Sequence, residues 1–103
     1  MEEINIREFN QITARGQVLV DFYELGCLNC QLLLPTLNEL AKDNPQIKFV
    51  KINADNARTL LERLNITALP TLVAFRDGVK LQPAIIGVKP KKVLQGVLND
   101  LFK

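Results

Sequence analysis

The 103-residue chain contains no histidine. That excludes a Cys-His nucleophile pair of the protease type, and any histidine-containing metal site built within one chain. Cysteine is almost as scarce, with only Cys27 and Cys30. Two cysteines do not make the disulfide framework of a small secreted domain. No apolar run approaches the ~18 residues that a membrane helix needs, so no membrane span is expected. The N-terminus, Met1-Glu2-Glu3, lacks the basic segment and apolar stretch of a signal peptide, which makes the cytoplasm the expected compartment. The formal net charge is +2, too small to argue for a nucleic-acid partner. The positive residues gather late, in Arg76, Lys80, Lys89, Lys91, Lys92 and Lys103, and a solvated helix face accounts for them.

The remaining composition is that of one globular domain spanning residues 1–103. Hydrophobic residues make up 48% and charged residues 23%, enough of each for a core and a solvated surface. The length supports a core without covalent staples. Nothing in the chain demands more than a monomer.

The two cysteines carry the strongest signal. Cys27-Leu28-Asn29-Cys30 follows the apolar run Val18-Leu19-Val20-Asp21-Phe22-Tyr23, which reads as a central parallel strand. It precedes a helix expected over 28–42, with Leu33, Leu37, Leu40 and Ala41 at helical spacing. A CxxC where a strand hands over to a helix is a redox pattern. The first N–H groups of a helix lack internal partners and the peptide dipoles leave positive charge there. A thiolate at that spot is stabilised, and Cys27 gains most. Cys30 lies one turn on along the same face, within disulfide reach. One cysteine then attacks a partner's disulfide and the other resolves the mixed disulfide. The plain alternative is a pair of buried structural thiols.

Elsewhere, Glu3 to Ile6 reads as a short strand and Arg7 to Ala14 as a weak helix, followed by a turn at Arg15-Gly16-Gln17. Asp43-Asn44-Pro45 breaks the long helix. Ile47 to Ile52 is the next strand, and Asn56 to Leu64 a helix with Asp55 as its N-cap. Leu72 to Phe75 and Leu81 to Ile86 form an antiparallel pair around Arg76-Asp77-Gly78-Val79, since Asp-Gly marks a hairpin. Pro90 opens a last helix with Val93, Leu94, Val97, Leu98 and Leu101 as its apolar stripe. The order β-α-β-α-β-α-β-β-α is an α/β pattern: a central mixed β-sheet flanked by helices on both faces.

That order, with a CxxC after the second strand, resembles the thioredoxin family over nearly the whole chain. The family has a buried acid six residues before the first cysteine, where Asp21 stands, and a proline five after the second, where Pro35 stands. Lys51-Ile52-Asn53-Ala54-Asp55 resembles its third strand, whose lysine lies near the buried acid. Asn65 to Thr71 resembles its cis-proline segment, Phe75-Arg76-Asp77-Gly78 its hairpin turn, and Gly87 the glycine after its last strand. The resemblance implies a thioredoxin fold and a thiol–disulfide oxidoreductase that reduces protein disulfides in the cytoplasm. It implies electrons from a thioredoxin-reductase-type flavoprotein, with no cofactor of the chain's own beyond the Cys27–Cys30 pair.

Roles follow residue by residue. Cys27 is the expected nucleophile, partly exposed, and Cys30 the more buried resolving thiol. Asp21, alone in an apolar strand, must be neutralised or paired. It is expected to have a raised pKa and to accept a proton from Cys30 through water, with Lys51 in support. A strand-end or capping Asp is the plainer reading. Pro70 is expected to be cis, leaving the Leu69 backbone free to pair with an extended substrate. Gly26, Leu28 and Leu69, with Leu25, form an expected apolar rim, and Gly87 belongs to the same substrate surface. The chain departs from the family where tryptophan is usual, with Gly26 before the first cysteine and Tyr23 further back. Leu28-Asn29 replaces the usual Gly-Pro, and Gln31 a frequent basic residue. These departures motivate a second reading, a non-catalytic binding module on the same fold. A third is a metal or iron–sulfur site bridged by two CxxC motifs in a dimer, since one chain supplies only two thiolates.

Overall fold

The computed structural model describes residues 1–103. Strand β1 is Glu2–Glu3 and helix α1 Ile6–Thr13; β2 is Gln17–Tyr23 and α2 Leu28–Asp43. Strand β3 is Ile47–Asn53, followed by a 3-10 turn at Ala54–Asn56 and α3 at Arg58–Arg63. Strand β4 is Thr71–Arg76, β5 Val79–Lys80, β6 Ile85–Ile86, and α4 Lys91–Leu101. The sheet runs β1-β3-β2-β4-β5, with β6 also on β4. β1, β3 and β2 are parallel, and β4 is antiparallel to β2, so the sheet is mixed.

Alternation along the central strands divides the core in two. Val18, Val20 and Phe22 of β2 face the α1 and α3 side, where Phe9 meets Phe75 edge to face at 5.4 Å. Leu19 faces the other side with Leu33, Leu37 and Leu40 of α2 and Leu94 and Leu98 of α4. Asp21 and Tyr23 follow Leu19 at two-residue steps, so they share the face under α2. Leu37 is fully buried there. Leu37→Ala is expected to cost about 2–5 kcal/mol through lost burial and a cavity. Urea unfolding checks this; a loss under about 1 kcal/mol would mean that α2 does not anchor this layer.

Four local expectations are corrected. The first strand stops at Glu3, because Asn5 caps α1. Its Oδ1 accepts from the Glu8 N–H, and Glu8 Oε1 accepts from the Asn5 N–H, both at 3.0 Å. Asp55 does not cap α3. Asn53 caps the 3-10 turn, Ala57 leads into α3 without a side-chain cap, and Asp55 pairs with Arg58 at 2.9 Å. Of the strand expected over Leu81 to Ile86 only Ile85–Ile86, β6, is strand; β5, Val79–Lys80, lies before that span, and the segment between them carries a cis Gln82–Pro83 bond. Proline offers no N–H to a ladder. Pro90 is the N-cap of α4 rather than its first residue. The hairpin turn is as expected, with positive φ at Asp77 and Gly78.

Candidate active site

The Cys27–Cys30 pair sits where β2 passes into α2. Gly26 has φ 80°, a left-handed conformation that side chains resist, and a Cβ there would touch nothing. Backbone geometry, not crowding, selects glycine before the first cysteine. Cys27 is the N-cap of α2, and its Sγ accepts a hydrogen bond from the Cys30 N–H at 3.2 Å. The Cα atoms are 5.3 Å apart and the sulfurs are joined as a disulfide. Cys27 is half-buried, while Cys30 is 5% exposed. The Cys27 sulfur faces that N–H and the positive end of a 16-residue helix. Both favour its thiolate.

Beneath the pair lies Asp21, 3% exposed. Its Oδ1 has no hydrogen-bond partner within the protein. Burial pushes its carboxyl up from 3.8 to about 7, against the opposing pull of Lys51. The strand-end or capping reading of Asp21 is thereby excluded. Lys51 is its direct partner across the β2–β3 ladder. A pocket of about 110 Å³ joins the carboxylate to the second cysteine, with Asp21, Tyr23, Glu24, Cys30, Leu34 and Lys51 in its lining. That volume has room for water between Asp21 and Cys30.

The other side of the sulfurs faces the loop before β4. The Leu69–Pro70 peptide is cis. Leu69 makes no backbone hydrogen bond, whereas the neighbouring Pro70 carbonyl accepts from the Gly87 N–H at 2.9 Å. An open groove of about 470 Å³ lies between Cys27 and Leu69, reaching Glu24 and Arg58. Leu25 and Leu28, on either side of Gly26 and Cys27 in the chain, are 75% and 67% exposed, and Leu69 is half-buried. Of the three consecutive leucines after Gln31, Leu33 is core and Leu32 is exposed.

The structure thus gathers Cys27, Cys30, Gly26, Leu28, Leu69, Pro70 and Gly87 at one end of the sheet, with Asp21 and Lys51 behind Cys30. Sequence reasoning missed Glu3, Glu24, Leu34 and Arg58. Glu24 bridges the two faces of the site, lying 3.8 Å from Arg58. Its signal was its place in the three-residue link between strand and CxxC. Glu3 and Arg58 gave none, since only strand pairing and chain folding bring them near.

The family model "Thioredoxin" matches residues 1–100. The chain belongs to the thioredoxin family. It is 34% identical over 96 residues to the thioredoxin of Chlamydia pneumoniae, covering 93% of each chain. With the thioredoxin of Bacillus subtilis it shares 32% identity over 94 residues, 90% of this chain and 89% of that one. The crystal structure of oxidised mitochondrial thioredoxin 3 from Saccharomyces cerevisiae superimposes with a TM-score of 0.86 at 28% identity. The overlap covers 98% of this chain and 95% of that one. The fold is a thioredoxin fold, and with the paired cysteines in place the chain is a thiol–disulfide oxidoreductase. Its redox group is the cysteine pair itself.

Proposed function

We propose that the chain reduces disulfide bonds of other proteins, with Cys27 attacking, Cys30 resolving and Asp21 receiving the resolving proton. The observation that carries this reading is the half-buried Cys27 sulfur, capping α2 beside the unpaired Leu69 backbone. A substrate segment pairing with the Leu69 N–H and C=O as an added strand would present its disulfide to Cys27. The apolar rim of Gly26, Leu28 and Leu69 and the Gly87 segment would cover its flanks.

The Cys27 thiolate attacks one substrate sulfur, forming a mixed disulfide and releasing the other as a thiolate. Cys30 then gives its proton through water to Asp21, ionised at the start of this step. The Cys30 thiolate attacks Cys27, the Cys27–Cys30 bond forms, and the second substrate thiolate leaves. Two electrons pass from the pair to the substrate. Asp21 suits this step because a carboxyl at about 7 both accepts and returns a proton near neutrality. Lys51 supports it by limiting how far burial raises that value.

Return to the dithiol requires an external two-electron donor, and a reductase of the flavoprotein type used by this family fits the exposed sulfur edge. A reducing compartment such as the cytoplasm would keep the pair as thiols. Cys30→Ser tests the assignment of roles. Mixed with an oxidised protein substrate, the variant should accumulate a covalent adduct through Cys27, visible by non-reducing electrophoresis and mass mapping. Adducts absent, or mapped elsewhere, would reverse the assignment.

A further inference from the structure

Tyr23 lines the Asp21 pocket together with Lys51. Parallel pairing aligns Glu3 of β1 with Lys51 of β3, and Lys51 with Asp21 of β2. Tyr23 lies two residues beyond Asp21 on the same face. Its hydroxyl donates to Glu3 Oε1 at 2.6 Å, which anchors the ring. Burial and the Glu3 carboxylate push this phenol up to about 12, so it remains a donor at any physiological pH. The Lys51 ammonium stands 5.3 Å from the ring centroid, within cation–π range. None of the five ion pairs of the chain involves Lys51. The aromatic face is the close partner that the structure gives the ammonium.

The other groups around Asp21 are few. Glu24 comes from the segment after β2, and Cys30 from α2, both in the pocket lining. Glu3 accepts from the Tyr23 hydroxyl and is in register with Lys51 across β1 and β3, and β4 presents only Leu72 in register. Lys51 is therefore the one cation at this pocket.

We propose that Tyr23, anchored by Glu3, is a positioning residue that fixes the Lys51 ammonium at the mouth of the Asp21 pocket and thereby sets how readily Asp21 takes the proton of Cys30. The inference rests on the proton-acceptor reading of Asp21. A leucine in place of Tyr23 keeps apolar bulk and removes the π face, so the ammonium extends into water and its hold on the carboxylate weakens.

The test follows the Asp21 carboxyl by carbon NMR across a pH titration of the oxidised protein, where the cysteines do not titrate and turnover plays no part. In Tyr23→Leu the midpoint should rise by about half a pH unit, the scale of one partly exposed cation–π contact. In Tyr23→Phe, which keeps the ring but loses the bond to Glu3, it should rise by clearly less than in Tyr23→Leu. In a Lys51→Met background, Tyr23→Leu should shift nothing further. A midpoint unmoved by Tyr23→Leu, an equal shift in Tyr23→Phe, or the same shift with and without Lys51 would overturn the proposal. Independently of any variant, ring current should move the Lys51 Hε resonances of the native protein upfield of those of exposed lysines; unshifted resonances would overturn it too. Failure here leaves the Cys30→Ser trapping result untouched, so the two readings fall separately.

Discussion

Cys27→Ser is expected to lower dithiol-driven reduction of a protein disulfide to the rate of the dithiol alone. A serine oxygen cannot form the mixed disulfide, and at neutral pH its hydroxyl is not ionised even at a helix N-terminus. The loss should exceed about three orders of magnitude once the background is subtracted, the scale seen when a nucleophile is removed. The fold should survive, because serine is a good N-cap and can accept the Cys30 N–H in place of the sulfur. Circular dichroism distinguishes lost chemistry from lost structure. A folded Cys27→Ser protein that still turns over would place the nucleophile elsewhere.

Asp21→Asn should make the oxidised protein more stable at pH 8 and remove most of the pH dependence of its stability. The carboxyl is protonated in the folded protein up to about pH 7, but in the unfolded chain only up to about 3.8. Between those values the folded state holds the extra proton, so native stability falls as pH rises through the window. The full span corresponds to a loss on the order of 4 kcal/mol. Asparagine has nearly the shape of the neutral acid and no charge to desolvate. Urea unfolding at a series of pH values should show the two proteins converging near pH 4 and diverging toward pH 8, the variant above. Parallel curves would show that Asp21 ionises in the folded protein as readily as in water.

The catalytic half of the site was legible because it is local. Cys27, Cys30 and the helix they begin are consecutive, and periodicity placed the strand before them. Asp21 stood out as a single charge in the run Val18 to Tyr23. Leu69 and Pro70 were found through resemblance rather than chemistry, since an X–Pro pair alone does not announce its geometry. The pairing of Glu3 with Tyr23 was not legible. Their contact depends on which strands pair and in what register, and Glu3 lies 20 residues from Tyr23 and reads as plain surface charge. The same limit explains the last strand. The stretch Leu81 to Ile86 read as one returning strand, but Pro83 lies within it, and the ladder on β4 is confined to Val79–Lys80 before it and Ile85–Ile86 at its end. At α3, Asp55 had the composition of a cap, yet the 3-10 turn took Asn53 instead and turned Asp55 toward Arg58.

The cap of α2 has one more consequence. In most helices the oxygen that closes the N-terminus is inert; here the closing atom is the sulfur that reacts. Each turn of the cycle takes that atom from thiolate to mixed disulfide to internal disulfide, the state in which the Cys30 amide points at it. The longest helix of the molecule therefore ends on an atom whose charge depends on the electron count. The first turn, which carries the exposed Leu28, begins at the atom that changes its bonding partner, so a protein touching Leu28 lies one residue from the bond that forms and breaks as the electrons move.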